Sequence, residues 1–154
     1  MEDIKKPFAP EKLSIIDFKL NKAQVDAPED FEPDNVDGHK IDATLKLGFK
    51  LEEELVKCDL YIDVTTQSEE LNVLEAKGTF LLSYIIKVEG LSELTKLKGD
   101  VMDLHPDLAI SLSSITYSTS RGVLITRLQG TPLQNMILPV VDPLKLLEDS
   151  FTEQ

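Results

Sequence analysis

Three side chains could initiate covalent or acid–base chemistry: the single thiol, Cys58, and the two imidazoles, His39 and His105. A nucleophilic thiolate needs a nearby base and an electropositive, partly exposed setting. Cys58 instead alternates with Asp59 and Tyr61 and shares its face with Leu60, Ile62 and Val64, the pattern of a small core hydrophobe. His39 follows Gly38 at a strand entrance and reads as a solvent-facing turn residue. His105 precedes Pro106 near a helix start, where the helix dipole disfavours an imidazolium. Histidine becomes an acid or base only beside a positioned partner. Asp59 and Asp63 are a carboxylate pair, but residues four apart on a strand lie about 13 Å from one another, too far for glycosidase-type work. The glycines occur singly, with no phosphate-cradling motif, and no HxH, CxxC or calcium-loop spacing is present. The expectation is a protein that is not an enzyme and uses neither metal nor cofactor.

Composition narrows the partners. The chain has 154 residues, 42% hydrophobic and 29% charged, which fits one globular domain with an adequate core of its own. Its formal net charge is −12, a sign that repels phosphate backbones and anionic lipid. Nucleic acid and membrane insertion are therefore excluded as expected partners, and a basic protein partner stays open. One cysteine rules out an internal disulfide, no N-x-Ser/Thr sequon occurs, and the N-terminus lacks a signal-peptide stretch. The uncharged runs 108–120 and 128–141 are too short to span a bilayer. These features predict a cytoplasmic protein.

Hydrophobic periodicity sets the elements. Residues 1–12, with Pro7 and Pro10, read as a flexible arm ahead of one domain over 13–148, with 149–154 as a short tail. From 13 to 25 the pattern is strand-like, with Ile16, Phe18 and Leu20 on one side and Asp17 and Lys19 on the other. An acidic loop over 27–38 follows. Ile41, Ala43, Leu45, Leu47, Phe49 and Leu51 then alternate with polar residues, as do Cys58 to Val64, and a fourth strand spans 73–88. Acids are expected in the long loop and on the sheet's solvated face. After Gly99 the period changes: Leu104, Leu108, Leu112 and Ile115 recur at helical spacing to about Leu128, and Gly130-Thr131-Pro132 stops the helix. Asp142-Pro143 is an N-cap followed by proline at N1 and opens a short last helix through Leu147. The fold class is α+β, a four-stranded antiparallel sheet followed by one long and one short helix on one face.

One segment stands out by composition. Leu133, Met136, Ile137, Leu138, Val140 and Val141 sit in a connection without charge, although surface connections are usually polar. Such a stretch either packs as core or forms a partly exposed apolar groove that takes in another chain. Met136 suits a groove because its flexible thioether adapts to varied partners.

The same stretch resembles a known family. Gln129-Gly130-Thr131-Pro132, Asn135-Met136-Ile137-Leu138-Pro139-Val140-Val141-Asp142 and Leu144 to Leu147 are similar to the C-terminal signature of the SecB protein-export chaperones. Upstream, Val73-Leu74-Glu75-Ala76-Lys77-Gly78-Thr79-Phe80 resembles the family's fourth strand, and Tyr117 with Arg121 resembles a pair at its first helix. The resemblance implies an ATP-independent holdase, a homotetramer built as a dimer of dimers, which binds unfolded or precursor polypeptides and keeps them translocation-competent. It makes Leu133, Met136, Ile137, Leu138 and Val140 the client-binding residues. It also implies delivery to the translocation motor SecA, with Asp17 and Glu75 as motor contacts. A relative dedicated to one client such as an antitoxin is a variant of this reading. A small-molecule carrier or enzyme on a curved sheet with a covering helix is the alternative from another class.

Overall fold

Alternating apolar residues build a twisted antiparallel sheet of four long strands: β1 (Leu13–Asp26), β2 (Val36–Lys50), β3 (Leu55–Ser68) and β4 (Lys77–Val88). The computed structural model describes residues 9–69 and 74–152, the last five by backbone alone. Of the expected arm over 1–12, residues 1–8 lie outside the described residues and Pro10–Lys12 form a short 3-10 turn; Val73 also lies outside them, and the fourth strand begins at Lys77 rather than at 73. The strand order is β1-β4-β3-β2, so β1 pairs with β4 and not with its neighbour in sequence. The acidic connection after β1 must therefore cross three inter-strand spacings, about 14 Å, which accounts for its length.

The strand faces follow the sequence pattern except in β1. Val56, Cys58, Leu60, Ile62 and Val64 of β3 and Phe80, Leu82, Tyr84 and Ile86 of β4 are all buried on one face. In β1 the register shifts between Ile15 and Asp17 and again between Leu20 and Lys22. Each shift inserts one unpaired residue and reverses the alternation beyond it. As a result Ile15, Phe18, Leu20, Ala23 and Val25 pair with the inward-facing residues of β4. The expected set of Ile16, Phe18 and Leu20 is corrected accordingly, with Ile16 as the inserted residue, 56% exposed.

The long helix α1 (Pro106–Arg127) lies over this face, as expected from Leu108 and Leu112. Its buried ridge continues at the same spacing with polar residues, Thr116 and Ser120, before Leu124. Ser120 Oγ shares a 2.8 Å hydrogen bond with the Tyr84 hydroxyl, which ties helix to sheet. The second helix α2 (Pro143–Thr152) packs against both β2 and α1, and its start is capped as predicted by Asp142 Oδ1, which accepts from the Leu144 amide at 3.0 Å. It runs through the stretch expected as a tail, as far as Thr152. One element was not anticipated. A hairpin of β5 (Thr95–Lys98) and β6 (Val101–Leu104) precedes α1, turning on Gly99, whose φ of +62° a residue with a side chain rarely adopts.

Candidate functional site

The groups able to do chemistry are dispersed. Cys58 is fully buried, and burial pushes its thiol up to about 12, out of reach of thiolate chemistry at neutral pH. His39 lies within β2 and is half-buried rather than solvent-facing, and burial holds its imidazole below the usual value. His105 caps α1, its Nδ1 accepting from the Asp107 amide at 3.0 Å. Asp59 and Asp63 share the outer face of β3, and Asp59 pairs with Lys57 at 3.5 Å. Among the described residues no three His, Cys, Asp or Glu side chains come together in a metal-binding group.

The uncharged connection after α1 has the most definite geometry. Gly130, at φ +81°, leaves the helix, and the Thr131 hydroxyl both donates to the Leu128 carbonyl at 2.8 Å and accepts from the Leu133 amide at 3.1 Å. Further on, the chain is fastened by its carbonyls. The Tyr117 hydroxyl donates to the Pro139 carbonyl at 2.7 Å, and Arg121 donates through Nε to the Leu138 carbonyl at 2.9 Å. Tyr117 and Arg121, which the sequence associated with the first helix, are thus a clamp that holds the connection to α1.

The clamped segment alternates inward and outward over 136–138, as an extended chain does, and then turns two successive residues, Pro139 and Val140, outward. Met136 and Leu138 point into the core at 1% and 2% exposure, and Leu133 is fully enclosed. Ile137 and Val140 point out, at 60% and 89%. The five apolar residues expected to line a client groove therefore divide. Leu133, Met136 and Leu138 are corrected to core, where they join the buried side chains of the sheet and α1. Gly78 makes the space for Leu133: a Cβ there would stand 2.5 Å from Leu133 Cδ1. Beneath the segment, a groove of about 550 Å³ runs between β2 and the helices, lined by Ile41, Ala43, Tyr117, Pro139, Val141 and Leu146 together with the polar Asp42, Thr44, Asp142 and Lys145. Val140 edges an adjoining recess of about 230 Å³ beside Arg121. The β2 wall was missed by sequence reasoning, although the small Ala43 in a run of large apolar residues marks the gap.

The segment also keeps backbone capacity in reserve. Among the described residues, no hydrogen bond uses the amides of Ile137, Leu138, Val140 or Val141. Exposed apolar side chains beside unused backbone donors are the features that strand addition of an extended polypeptide draws on.

No protein-family model matches the chain, and no curated protein matches its sequence. Among solved structures, the SecB-like chaperone Rv1957 of Mycobacterium tuberculosis, in complex with a ChAD peptide from the HigA1 antitoxin, superposes with a TM-score of 0.59 at 11% identity. The match covers 85% of this chain and 92% of that one. The fold is SecB-like. A protein of unknown function from Streptococcus agalactiae also aligns, at 13% identity over 83% of this chain and 97% of that one, with a TM-score of 0.32.

The two residues that the SecB resemblance made motor contacts do not form one patch. Asp17 is exposed opposite Ile85, whereas Glu75 precedes β4, about ten strand residues or 33 Å away. Glu75 is engaged within the chain. Its carboxylate accepts from the Thr66 hydroxyl at 2.8 Å, the Ser68 hydroxyl at 2.8 Å and the Ser68 amide at 3.0 Å. The Thr66 bond first, with those from Ser68, holds its carboxyl below the ordinary 4.5 despite an opposing push from desolvation. A depressed carboxylate contributes stability above its unfolded value and loses it as the pH falls through the folded one. Glu75→Gln should therefore lower the melting temperature near neutral pH, and the gap to the parent should close below pH 4.5. Calorimetry across that range checks it; a gap that widens in acid contradicts the assignment.

Proposed function

We propose that the protein is an ATP-independent holdase chaperone that takes extended apolar segments of non-native polypeptide onto the connection between its two helices. The observation that carries this reading is the clamped segment itself, with Ile137 and Val140 exposed, its amides unused and a groove of mixed apolar and polar lining alongside. Main-chain bonds are indifferent to sequence and shallow apolar contacts nearly so, which suits a binder of many unfolded clients. Burial at roughly 25 cal/mol per Å² gives each short segment a weak grip after ordering costs. Several sites on one assembly raise the avidity by about 10²–10⁴.

Self-association supplies those sites. The α1 surface has no charged residue between Asp107 and Arg121 and exposes Ile110. The edge strand β1 exposes Ile15, Ile16 and Phe18 beside unpaired backbone. Both surfaces fit second copies, and a dimer of dimers uses each once. The SecB-like fold and its solved complex with an antitoxin-derived peptide support a polypeptide client. Delivery to SecA draws less support, because Glu75 is occupied within the chain.

The test is light scattering from a thermally unfolding client at a few-fold excess of this protein, without nucleotide. Suppressed scattering is expected, together with a molar mass near four times that of the chain. Unchanged scattering across a panel of unrelated clients and an antitoxin overturns the holdase reading. Protection of the antitoxin alone selects the dedicated form.

A further inference from the structure

The outer face of the sheet, which no helix covers, opposes the charge of the chain as a whole. Acids were expected there, yet in the observed register lysines outnumber aspartates on this face. Several are answered locally: Lys50 by Glu53 at 3.6 Å, Lys57 by Asp59 at 3.5 Å and Lys87 by Glu54 at 3.5 Å. Lys19, Lys22 and Lys46 are exposed and make no ion pair among the described residues. They flank a half-apolar centre. One row across the strands reads Lys46, Asp59, Ser83, Lys19, and the next reads Thr44, Tyr61, Leu81, Lys22. Tyr61 is 39% exposed, with Lys46 Nζ 5.4 Å from its ring centroid.

We propose that this face docks an acidic polypeptide segment in which two carboxylates stand four residues apart with an apolar side chain midway between them. The spacing follows from the sheet. Lys46 and Lys19 are three strand spacings apart, about 14 Å, and residues four apart in an extended chain are separated by about 13 Å on one side. The residue between them falls on that same side, over Asp59, which Lys57 already answers, and Ser83, within an aromatic side chain's diagonal reach of Tyr61 and Leu81 in the next row. Charge complementarity supplies the attraction, and at physiological salt it acts over about 8 Å, so the local lysines outweigh the distant acidic loop. A continuous phosphate track fits less well. Asp42 and Asp63 stand opposite each other only two residues further along the strands, where a polyanion laid over the lysines would meet them. The occupant and the face are distinct from those of the client groove.

Fluorescence anisotropy tests this with the full-length protein and two labelled peptides. One carries two glutamates four residues apart around a phenylalanine; the other has the same composition with the glutamates adjacent. The spaced peptide should bind, weaken with added salt and outcompete the adjacent one. Lys19→Glu with Lys22→Glu and Lys46→Glu should weaken it by about tenfold or more, as expected for reversing several surface charges. Should that variant fail to fold, the Lys→Gln version is expected to show a smaller loss in the same direction. Asp17→Lys, beside the patch, should tighten binding. Equal binding of the two peptides, indifference to the lysine changes, or tighter binding of a single-stranded oligonucleotide at the same residues each overturns the proposal.

Discussion

Ile137→Asp combined with Val140→Asp should abolish client protection while leaving the protein folded. Both side chains are largely in water, at 60% and 89% exposure, so their replacement removes little packing from the chain itself. To a client the same change is severe. Each apolar contact contributes on the order of 1.5–3 kcal/mol when fully buried, so losing two and presenting charge to an apolar segment weakens capture on the order of 100-fold. The measurement pairs circular dichroism and melting temperature with the scattering assay. Retained protection by a folded double variant would remove the segment from the client site.

Leu133 should behave in the opposite way. It is fully enclosed and fills the space that Gly78 leaves. Leu133→Ala should cost about 2–5 kcal/mol through lost burial and a residual cavity. For a domain of this size that lowers the melting temperature by roughly 10 °C. Leu133→Asp should not fold, because an unpaired charge would be buried against β4. Denaturant unfolding of the alanine variant checks the magnitude; a melting temperature within a degree or two of the parent would place Leu133 outside the core. The two experiments together separate residues that hold the molecule from residues that hold something else.

Much of the fold was legible in the residues. Period-two alternation in β2 and β3, Asp142-Pro143 at the start of α2 and Gly130 after α1 each have a local physical cause that a linear reading captures. The misses share a different cause. The two bulges of β1 are decided by pairing with β4, a strand more than fifty residues away, and leave no local signature. The β5–β6 hairpin is too short for periodicity to register, although Gly99-Asp100 is a known two-residue turn. Within the candidate site, an uncharged run does not distinguish side chains pointing in from those pointing out. Only the extended trace from Met136 to Leu138 assigns Ile137 to the surface and its neighbours to the interior. The lysine-rich outer face emerges only once the register sets β1 beside β4 and β4 beside β3.

In the proposed holdase, the Tyr117 and Arg121 hydrogen bonds to the Leu138 and Pro139 carbonyls bear on how a guest departs. A receptor strip that is already rigid has no ordering step of its own to reverse, so the guest alone forfeits freedom on docking. A guest able to satisfy its own amides by folding gains more by leaving than by staying. On the proposed reading, turnover then runs on the guest's folding free energy, without nucleotide hydrolysis to empty the strip.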